Sequence, residues 1–187
     1  IRPPRTVLPS TMPAVISVRH RVPADVPVLC EVLAAQAEAS AYPIRWPWSG
    51  PLEDFIVRSA EEQAWVAVSD GEPDRPIGHV AVERVEVRGD GIAEGWMAAT
   101  GAPAADLACI SVLFVDQAAR TGGVGSALLA TATDWIRSQG RIPVLDVVAS
   151  HDGIVDLYRR RGWREVGIAH PPWLPESPLT LMVLDDR

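Results

Sequence analysis

The sequence predicts an α/β (α+β) fold, in which a mixed sheet carries helices on both faces. Strand-like and helix-like segments follow one another in mixed order, which is typical of such a layered domain. A chain of 187 residues with 48% apolar content can form one domain with a sizeable core. A buried strand also runs directly into a glycine-rich loop and a helix over residues 108–138, and no internal repeat is present.

The first half of the chain predicts two helices and three strands. Residues 1–14 contain four prolines and predict a flexible leader, followed by a single domain over residues 15–187. Apolar patterning and proline or glycine breaks then give the individual elements. These are a strand at 14–20, a helix at 26–39, a proline-rich break at 41–50, a helix at 51–62, and two strands around a turn within 64–87.

The second half predicts the elements around the glycine-rich loop. Residues 89–106 are rich in Gly and Ala and are too long for an ordinary hairpin loop, so we expect an irregular excursion there. The predicted elements that follow are a buried strand at 108–115, a helix at 123–138, a strand at 143–150, a short helix at 153–161, and closing strands at 163–169 and 178–184.

Charge and composition exclude several classes of function. The net charge of −7 argues against a nucleic-acid surface, because phosphate binding needs a basic patch. All 17 basic side chains are arginines, which excludes Schiff-base chemistry and a P-loop lysine. The two cysteines stand in no metal-binding spacing, and no apolar run is long enough for a membrane span. We therefore expect a cytoplasmic protein without metal, nucleic-acid or membrane partners.

Three glycines stand within four positions directly before a predicted helix. The first N–H groups of a helix have no internal partner and lie at the positive end of its dipole. Because Gly122, Gly123 and Gly125 carry no side chain, a phosphate could reach those N–H groups directly. The spacing is equally compatible with a plain strand-to-helix turn, and it fits a dinucleotide-binding fingerprint poorly.

A second segment, residues 145–163, predicts a strand, a short helix that carries Tyr158, and a turn. Together the two segments resemble the GNAT (GCN5-related) superfamily of acyl-CoA-dependent N-acetyltransferases. The run RTGGVG at 120–125 is similar to the [QR]-x-x-G-x-[GA] pyrophosphate loop of that family, and LYRRRGW resembles its LYxxxG[FW] segment. The resemblance covers residues 108–167 and implies the GNAT fold, a mixed and mostly antiparallel sheet flanked by helices.

The resemblance implies acetyl-CoA as the cofactor. The pyrophosphate would lie on the glycine-rich loop, and pantetheine would run along the preceding strand, which would splay from the strand at 143–150. Family members often carry an asparagine seven residues before the tyrosine; in this chain either His151 or Asp152 could replace it, or both could form a solvated turn. The implied cofactor-binding residues are Leu113, Phe114, Val115, Arg120, Thr121, Gly122, Gly123, Val124, Gly125, Ser126, His151 and Asp152.

The resemblance assigns catalysis to Tyr158. Its hydroxyl would hydrogen-bond the coenzyme sulfur and protonate the departing thiolate, whereas the alternative is a half-buried ring that anchors its helix. The general base stays open, because Cys109 stands where many members have a glutamate. Glu83, His79 and His170 are candidates, although an ordinary exposed position is the simpler interpretation of each. An amine with enough free base, or a water chain, would need no dedicated residue.

The same resemblance places the acceptor site between two loops, residues 41–48 and 170–175. Both loops are rich in rings and proline, and rings with polar edges suit a small amphipathic or cationic acceptor; the alternative is that they fill the core. Arg45 could bind an acceptor carboxylate or be solvated, and Trp96 could reach this region or a partner subunit of a homodimer. The candidate acceptor-binding residues are Tyr42, Arg45, Trp46, Trp48, Glu83, His170 and Trp173.

These inferences predict an N-acetyltransferase that moves an acetyl group from acetyl-CoA to a primary amine of a small molecule by direct attack. Backbone N–H near Val115 would polarise the thioester carbonyl. The alternatives are a non-catalytic domain that binds or senses acyl-CoA, an enzyme for protein N-terminal or side-chain amines, and an interaction module whose glycine loop is only a turn.

Overall fold

The computed structural model describes residues 15–40, 42–43, 46–148 and 152–185, and the predicted leader at 1–14 lies outside them. The helices are α1 (Val26–Ser40), α2 (Leu52–Ile56), α3 (Ile92–Thr100), α4 (Val124–Ser138) and α5 (Asp152–Arg160). The strands are β1 (Ile16–His20), β2 (Glu61–Ser69), β3 (Glu72–Arg84), β4 (Leu107–Val115), β5 (Ile142–Val148), β6 (Arg164–Ala169) and β7 (Leu179–Val183). Within the described ranges, no helix combines the length and the hydropathy needed to cross a membrane.

All seven strands form one sheet, in the order β1-β2-β3-β4-β5-β7-β6. Every neighbouring pair is antiparallel except β4 and β5, which run parallel and are connected through α4. This agrees with the predicted mixed, mostly antiparallel sheet. The β4–β5 ladder is short, because it pairs only Leu107, Ala108 and Cys109 with residues 142–144.

Helices cover both faces of the sheet, and alternation along the strands separates two layers of core. On one face α4 and α5 pack on the central strands, and this cluster includes Val80, Leu128 and Tyr158. On the other face α1 and α2 pack over β2, β3 and β4, while α3 packs on β6 and β7. The central strands are therefore buried on both sides, and their apolar runs reflect this.

Two predicted elements differ from the structure. The second helix ends at Ile56, because Val57 adopts an extended conformation, so its predicted extent to residue 62 was wrong. The predicted excursion at 89–106 contains α3, which begins and ends at glycines with left-handed φ values, Gly91 (84°) and Gly101 (69°). The glycines there bound a helix rather than a loop. Trp96 on α3 is 3% exposed and packs in the core, so it reaches neither an acceptor nor a partner subunit.

Candidate acyl-transfer site

The N-terminus of α4 is open. Its N-cap residue, Gly123, has a φ of 77°, a left-handed conformation that favours glycine, and no side chain caps the helix. A Cβ added at Gly123 would meet no atom within 4 Å. The Ala127 N–H donates to the Gly123 carbonyl, and the N–H groups before it lie at the positive end of the helix dipole. The backbone here suits an anion such as a pyrophosphate.

Arginine side chains border this helix end. Arg161, which follows α5, donates to the Ser126 hydroxyl at 2.6 Å, and Arg120 donates to the Gln36 amide oxygen on α1 at 3.0 Å. Both arginines are exposed. Arg159, near the end of α5, instead pairs with the carboxylates of Asp156 and Glu165. Positive charge therefore lies beside the open N–H groups, where a bound phosphate would need it.

Beyond Cys109 and Val144 the β4–β5 ladder ends, and we call the opening between these strands the splay. The predicted separation of the two strands is thus confirmed. The Asp116 N–H donates to the Ile77 carbonyl, so Asp116 and Phe114 direct their backbone groups toward β3. Because these directions alternate along a strand, Leu113 and Val115 direct theirs into the splay. Both are partly exposed, as a surface for a bound pantetheine chain requires.

Polar side chains converge on the splay from several elements. On one face, Ser111 of β4 donates to the Glu83 carboxylate of β3 at 2.5 Å, and an Arg58 nitrogen lies 3.4 Å from the same oxygen. Val144 is the last residue of β5 that pairs with β4, and its partner Cys109 lies on the same face of the sheet as Glu83 and Ser111. Asp146 follows Val144 by two residues, so it lies on that face as well. We call Arg58, Glu83, Ser111 and Asp146 the polar cluster.

Tyr158 lies on the other face of the sheet, in the core cluster against which Leu113, Val115 and Val147 pack. It is 8% exposed, and its ring packs edge-on against Trp163 with centroids 5.9 Å apart. Burial raises the pKa of the Tyr158 hydroxyl to about 12, with Arg161 opposing the shift and Asp146 and Cys109 adding to it. The hydroxyl therefore keeps its proton at neutral pH and can donate it.

Within the polar cluster, the Asp146 carboxyl has a raised pKa. Burial raises the pKa of its carboxyl from 3.8 to about 6; the Arg58 charge opposes this shift, and Glu83 and Asp90 add to it. A carboxyl with a pKa near 6 is ionised at neutral pH and is still basic enough to accept a proton. Such tuning is characteristic of general bases.

The predicted aromatic loops border this region in different ways. Tyr42 and Trp48 pack edge-on against Phe55 of α2, at 5.8 and 5.2 Å between centroids, and so form part of the second core layer. Trp46 is partly exposed. Trp173 is 46% exposed, and its indole N–H donates to the Asp90 carboxylate at 3.3 Å, which places it near α3. Tyr42 and Trp48 thus pack against the core and, like Trp46, stay partly exposed, while Trp173 is exposed.

A cleft of about 420 Å³ lies beside the polar cluster. Arg58 and Glu83 belong to its wall, so the cleft and the cluster share two charged groups. Its lining carries both signs of charge and little apolar surface. The lining residues are Asp54, Val57, Arg58, Ser59, Ala60, Glu83 and Arg88.

The remaining predicted residues fall into three groups. Arg45 and His151 lie outside the described residues, and of Asp152 only its position at the start of α5 is described. His170 is exposed before β7. His79, expected at an exposed position, is fully buried, because β3 is covered on both faces, so that expectation was wrong.

Sequence reasoning missed three residues of the site: Asp146, Ser111 and Arg58. Asp146 carried a signal, since it is the one charged residue in the apolar run PVLDVVAS of a buried strand. A charge in such a run is costly unless it is paired or functional. Ser111 and Arg58 carried none, because their relevance depends on the β3–β4 register and on where α2 ends.

Comparisons with known proteins agree with this geometry. The family model "Acetyltransferase (GNAT) family" matches residues 29–163, well over half of the chain. A comparison with curated proteins finds no match.

Among solved structures, a GCN5-related N-acetyltransferase from Kribbella flavida is 21% identical, with a TM-score of 0.64 over 90% of this chain and 96% of that one. The ribosomal-protein-S18-alanine N-acetyltransferase from Escherichia coli is 17% identical, with a TM-score of 0.62 over 92% and 96%. Arabidopsis thaliana NAA60 in complex with acetyl-CoA is 22% identical, with a TM-score of 0.67 over 90% and 97%.

The fold is that of an acyltransferase domain, and the chain belongs to the acetyltransferase (GNAT) family. The predictions of fold, family and enzyme class are confirmed, and the predicted use of acetyl-CoA agrees with this membership. The predicted roles of individual residues, the small-molecule acceptor, the homodimer and the cytoplasmic location stay predictions.

Proposed function

We propose that the protein transfers an acetyl group from acetyl-CoA to the primary amine of a small molecule, with Asp146 as general base and Tyr158 as general acid. The observation that carries this proposal is the convergence of both groups on the splay, beside the open N-terminus of α4. A base that activates the amine and an acid that protonates the departing thiolate can each assist acyl transfer.

The described residues fit acetyl-CoA. The N–H groups at the start of α4 would hold the pyrophosphate, with Arg161 nearby to neutralise phosphate charge. The backbone groups of Leu113 and Val115 that face the splay would hold the pantetheine chain. When bound, acetyl-CoA supplies an activated acyl group as a thioester. These residues bind and orient; none of them needs to form a covalent bond.

Asp146 is suited to take the proton of the amine. An alkyl amine is mostly an ammonium ion at neutral pH, and the Glu83 and Asp146 carboxylates favour such a cation at the site. An Asp146 oxygen that is ionised above pH 6 can remove a proton from the ammonium and leave a nucleophilic amine. Tyr158, which is protonated at neutral pH, can pass its Oη proton to the sulfur as the C–S bond breaks, and the second proton that the nitrogen loses on forming the amide returns to the Tyr158 oxygen.

The size and charge of the cleft support a small acceptor. Its volume, about 420 Å³, lies in the range of small-ligand sites, which is about 300–1,000 Å³. Its two carboxylates suit an ammonium group, and Arg58 and Arg88 suit a carboxylate or another anion on the same molecule. We infer an amphoteric amine, such as an amino acid derivative.

The test is release of coenzyme A thiol from acetyl-CoA with two panels of acceptors, small primary amines and peptides with free N-termini. We expect turnover with amphoteric small amines. Asp146→Asn should lower kcat/KM by about 10²–10⁴-fold, the usual contribution of a general base. The control is Asp134→Asn on the exposed side of α4, which should retain activity. Turnover of peptides alone would contradict the small acceptor, and binding of acetyl-CoA without any turnover would indicate a sensor domain.

A further inference from the structure

The splay-facing backbone of β4 depends on a bulge in the strand. Opposite β3, Phe114 pairs with His79 and Ser111 pairs with Ala81, so β4 has one residue more than β3 between these pairs. Val112 lies in the bulge with a φ of 49° and, among the described residues, is the one non-glycine residue with positive φ. A β-branched residue rarely adopts this conformation, so surrounding structure must hold it.

The bulge decides which backbone groups face the splay. The Arg84 N–H of β3 donates to Ala60, away from β4, so Arg84 and its partner Ala108 do not exchange backbone hydrogen bonds. By alternation, Cys109 and Ser111, which precede the bulge, direct their N–H and C=O groups toward β3. After the bulge, Phe114 and Asp116 direct theirs toward β3 instead. Without the extra residue the alternation would continue unchanged, and Leu113 and Val115 would turn their backbone groups to β3 instead of the splay.

A buried hydrogen-bonded chain ends on the bulge. The His79 Nδ1 lies 2.9 Å from the Val112 carbonyl oxygen, and its Nε2 lies 3.1 Å from an Arg21 guanidinium nitrogen. Arg21 has no acceptor, so Nε2 accepts, and Nδ1 must carry the hydrogen that Val112 receives. Arg21 is itself held by a two-point pair with Glu61, at 2.6 and 2.9 Å.

This chain is buried and fixed in one protonation state. His79 is fully buried, and the side chains of Arg21 and Glu61 are 9% and 15% exposed. Burial and the Arg21 charge lower the pKa of His79 to about 3, although its bond to Val112 opposes the shift. The imidazole is therefore neutral under ordinary conditions, and it touches neither the polar cluster nor the α4 terminus in any contact that the described residues show.

We propose that His79 is a positioning residue, which holds the β4 bulge through the Val112 carbonyl and thereby turns the Leu113 and Val115 N–H groups into the splay. This inference rests on the proposed function, since those N–H groups matter for catalysis only if a thioester lies there. His79 acts through the backbone and needs no contact with substrate.

The test uses three variants and two measurements, hydrogen exchange of the β4 amides by NMR without ligand, and steady-state kinetics. His79→Leu removes the donor, and His79→Asn keeps a side-chain N–H close to the position of Nδ1. The control is Val66→Ala, because Val66 is buried and pairs with His79 across β2 and β3, yet its apolar side chain makes no hydrogen bond in that chain.

In wild-type protein and in Val66→Ala we expect slow exchange at Phe114 and fast exchange at Leu113 and Val115. In His79→Leu, exchange should become fast at Phe114 and slow at Leu113 and Val115. The kcat should fall about 10²-fold, because a misplacement of the thioester by about 1 Å can cost that much. His79→Asn should restore most of both. Wild-type exchange and kcat in His79→Leu would overturn the inference, as would an Asn variant no better than Leu.

A fourth variant decides the outcome if His79→Leu does not fold. Glycine adopts positive φ without strain, so adding Val112→Gly to His79→Leu should recover folding and the wild-type exchange pattern. Failure to recover either would overturn the inference. A wild-type protein that turns over no amine would contradict the proposed function alone, since the exchange pattern is measured without substrate.

Discussion

Replacing Asp146 by asparagine should stabilise the protein while it removes activity. Asparagine has nearly the same shape and no charge, so it removes the cost of ionising a buried carboxyl. The pKa of Asp146 rises from 3.8 to about 6 on folding, and each pKa unit corresponds to about 1.4 kcal/mol. Above pH 7 the ionised carboxyl therefore costs up to about 3 kcal/mol of folding free energy.

The sign and the pH window follow from the direction of the shift. Because the folded-state pKa is raised, the folded protein binds the proton more tightly than the unfolded chain does, and stability is lost as pH rises from about 4 to about 6. The gain from Asp146→Asn should grow from about 1.5 kcal/mol at pH 5 to about 3 kcal/mol at pH 8, as an upper bound because the residue is partly exposed.

The assay is urea unfolding of both proteins at pH 5, 6, 7 and 8, with the slope m compared at each pH. The control is Asp134→Asn, which makes the same chemical change on the exposed side of α4 and should alter stability by less than about 0.5 kcal/mol. A difference that does not depend on pH, or a less stable Asp146→Asn protein at pH 8, would refute the argument. Stabilisation with full activity would refute only the assignment as base.

Four further outcomes are expected. Wild-type kcat/KM should fall about tenfold per pH unit below pH 6, and this acidic limb of the pH profile should be absent in Asp146→Asn. An acidic limb that persists in the variant would show that another group causes it. Gly125→Val should abolish most of the roughly 2.7 kcal/mol that acetyl-CoA at 100 times its Kd adds to wild-type stability, whereas Gly71→Ala, in open space at the turn between β2 and β3, should not. Tyr158→Phe should lower kcat about 10²-fold with acetyl-CoA affinity unchanged, and an unchanged kcat in a chemistry-limited assay would make Tyr158 an anchoring ring. Trp173→Ala should raise KM for the acceptor alone, and a change in acetyl-CoA affinity instead would remove it from the acceptor site.

Features that depend on local backbone requirements could be predicted from the sequence. The loop at 120–125 leads into α4, whose N-cap residue has a left-handed φ and whose first N–H groups carry no side-chain cap. Glycine suits this position best, because it adopts a left-handed φ without strain and leaves the N–H groups uncovered. The segment around Tyr158 was recognised for the same reason, because its short helix and turn are consecutive in the chain. Residues of this kind are brought together by sequence neighbours, so their spacing carries the information.

Features that depend on register between distant strands could not be predicted. Asp146 becomes part of the site because the β4–β5 ladder stops at Val144, and nothing in the local pattern sets that end. His79 was expected to be exposed, yet both faces of β3 are covered, which alternation along one strand does not reveal. The bulge at Val112 likewise exists only relative to the residues of β3 that face it.

The most direct test of the account is a crystal structure with acetyl-CoA bound. We expect the pyrophosphate on the N–H groups that begin α4, and pantetheine along Leu113 and Val115. The sulfur should lie within hydrogen-bonding distance of the Tyr158 hydroxyl, with Asp146 and the cleft on the acceptor side of the acetyl group. A cofactor bound away from the splay, or a thioester separated from Asp146 by packed side chains, would contradict it.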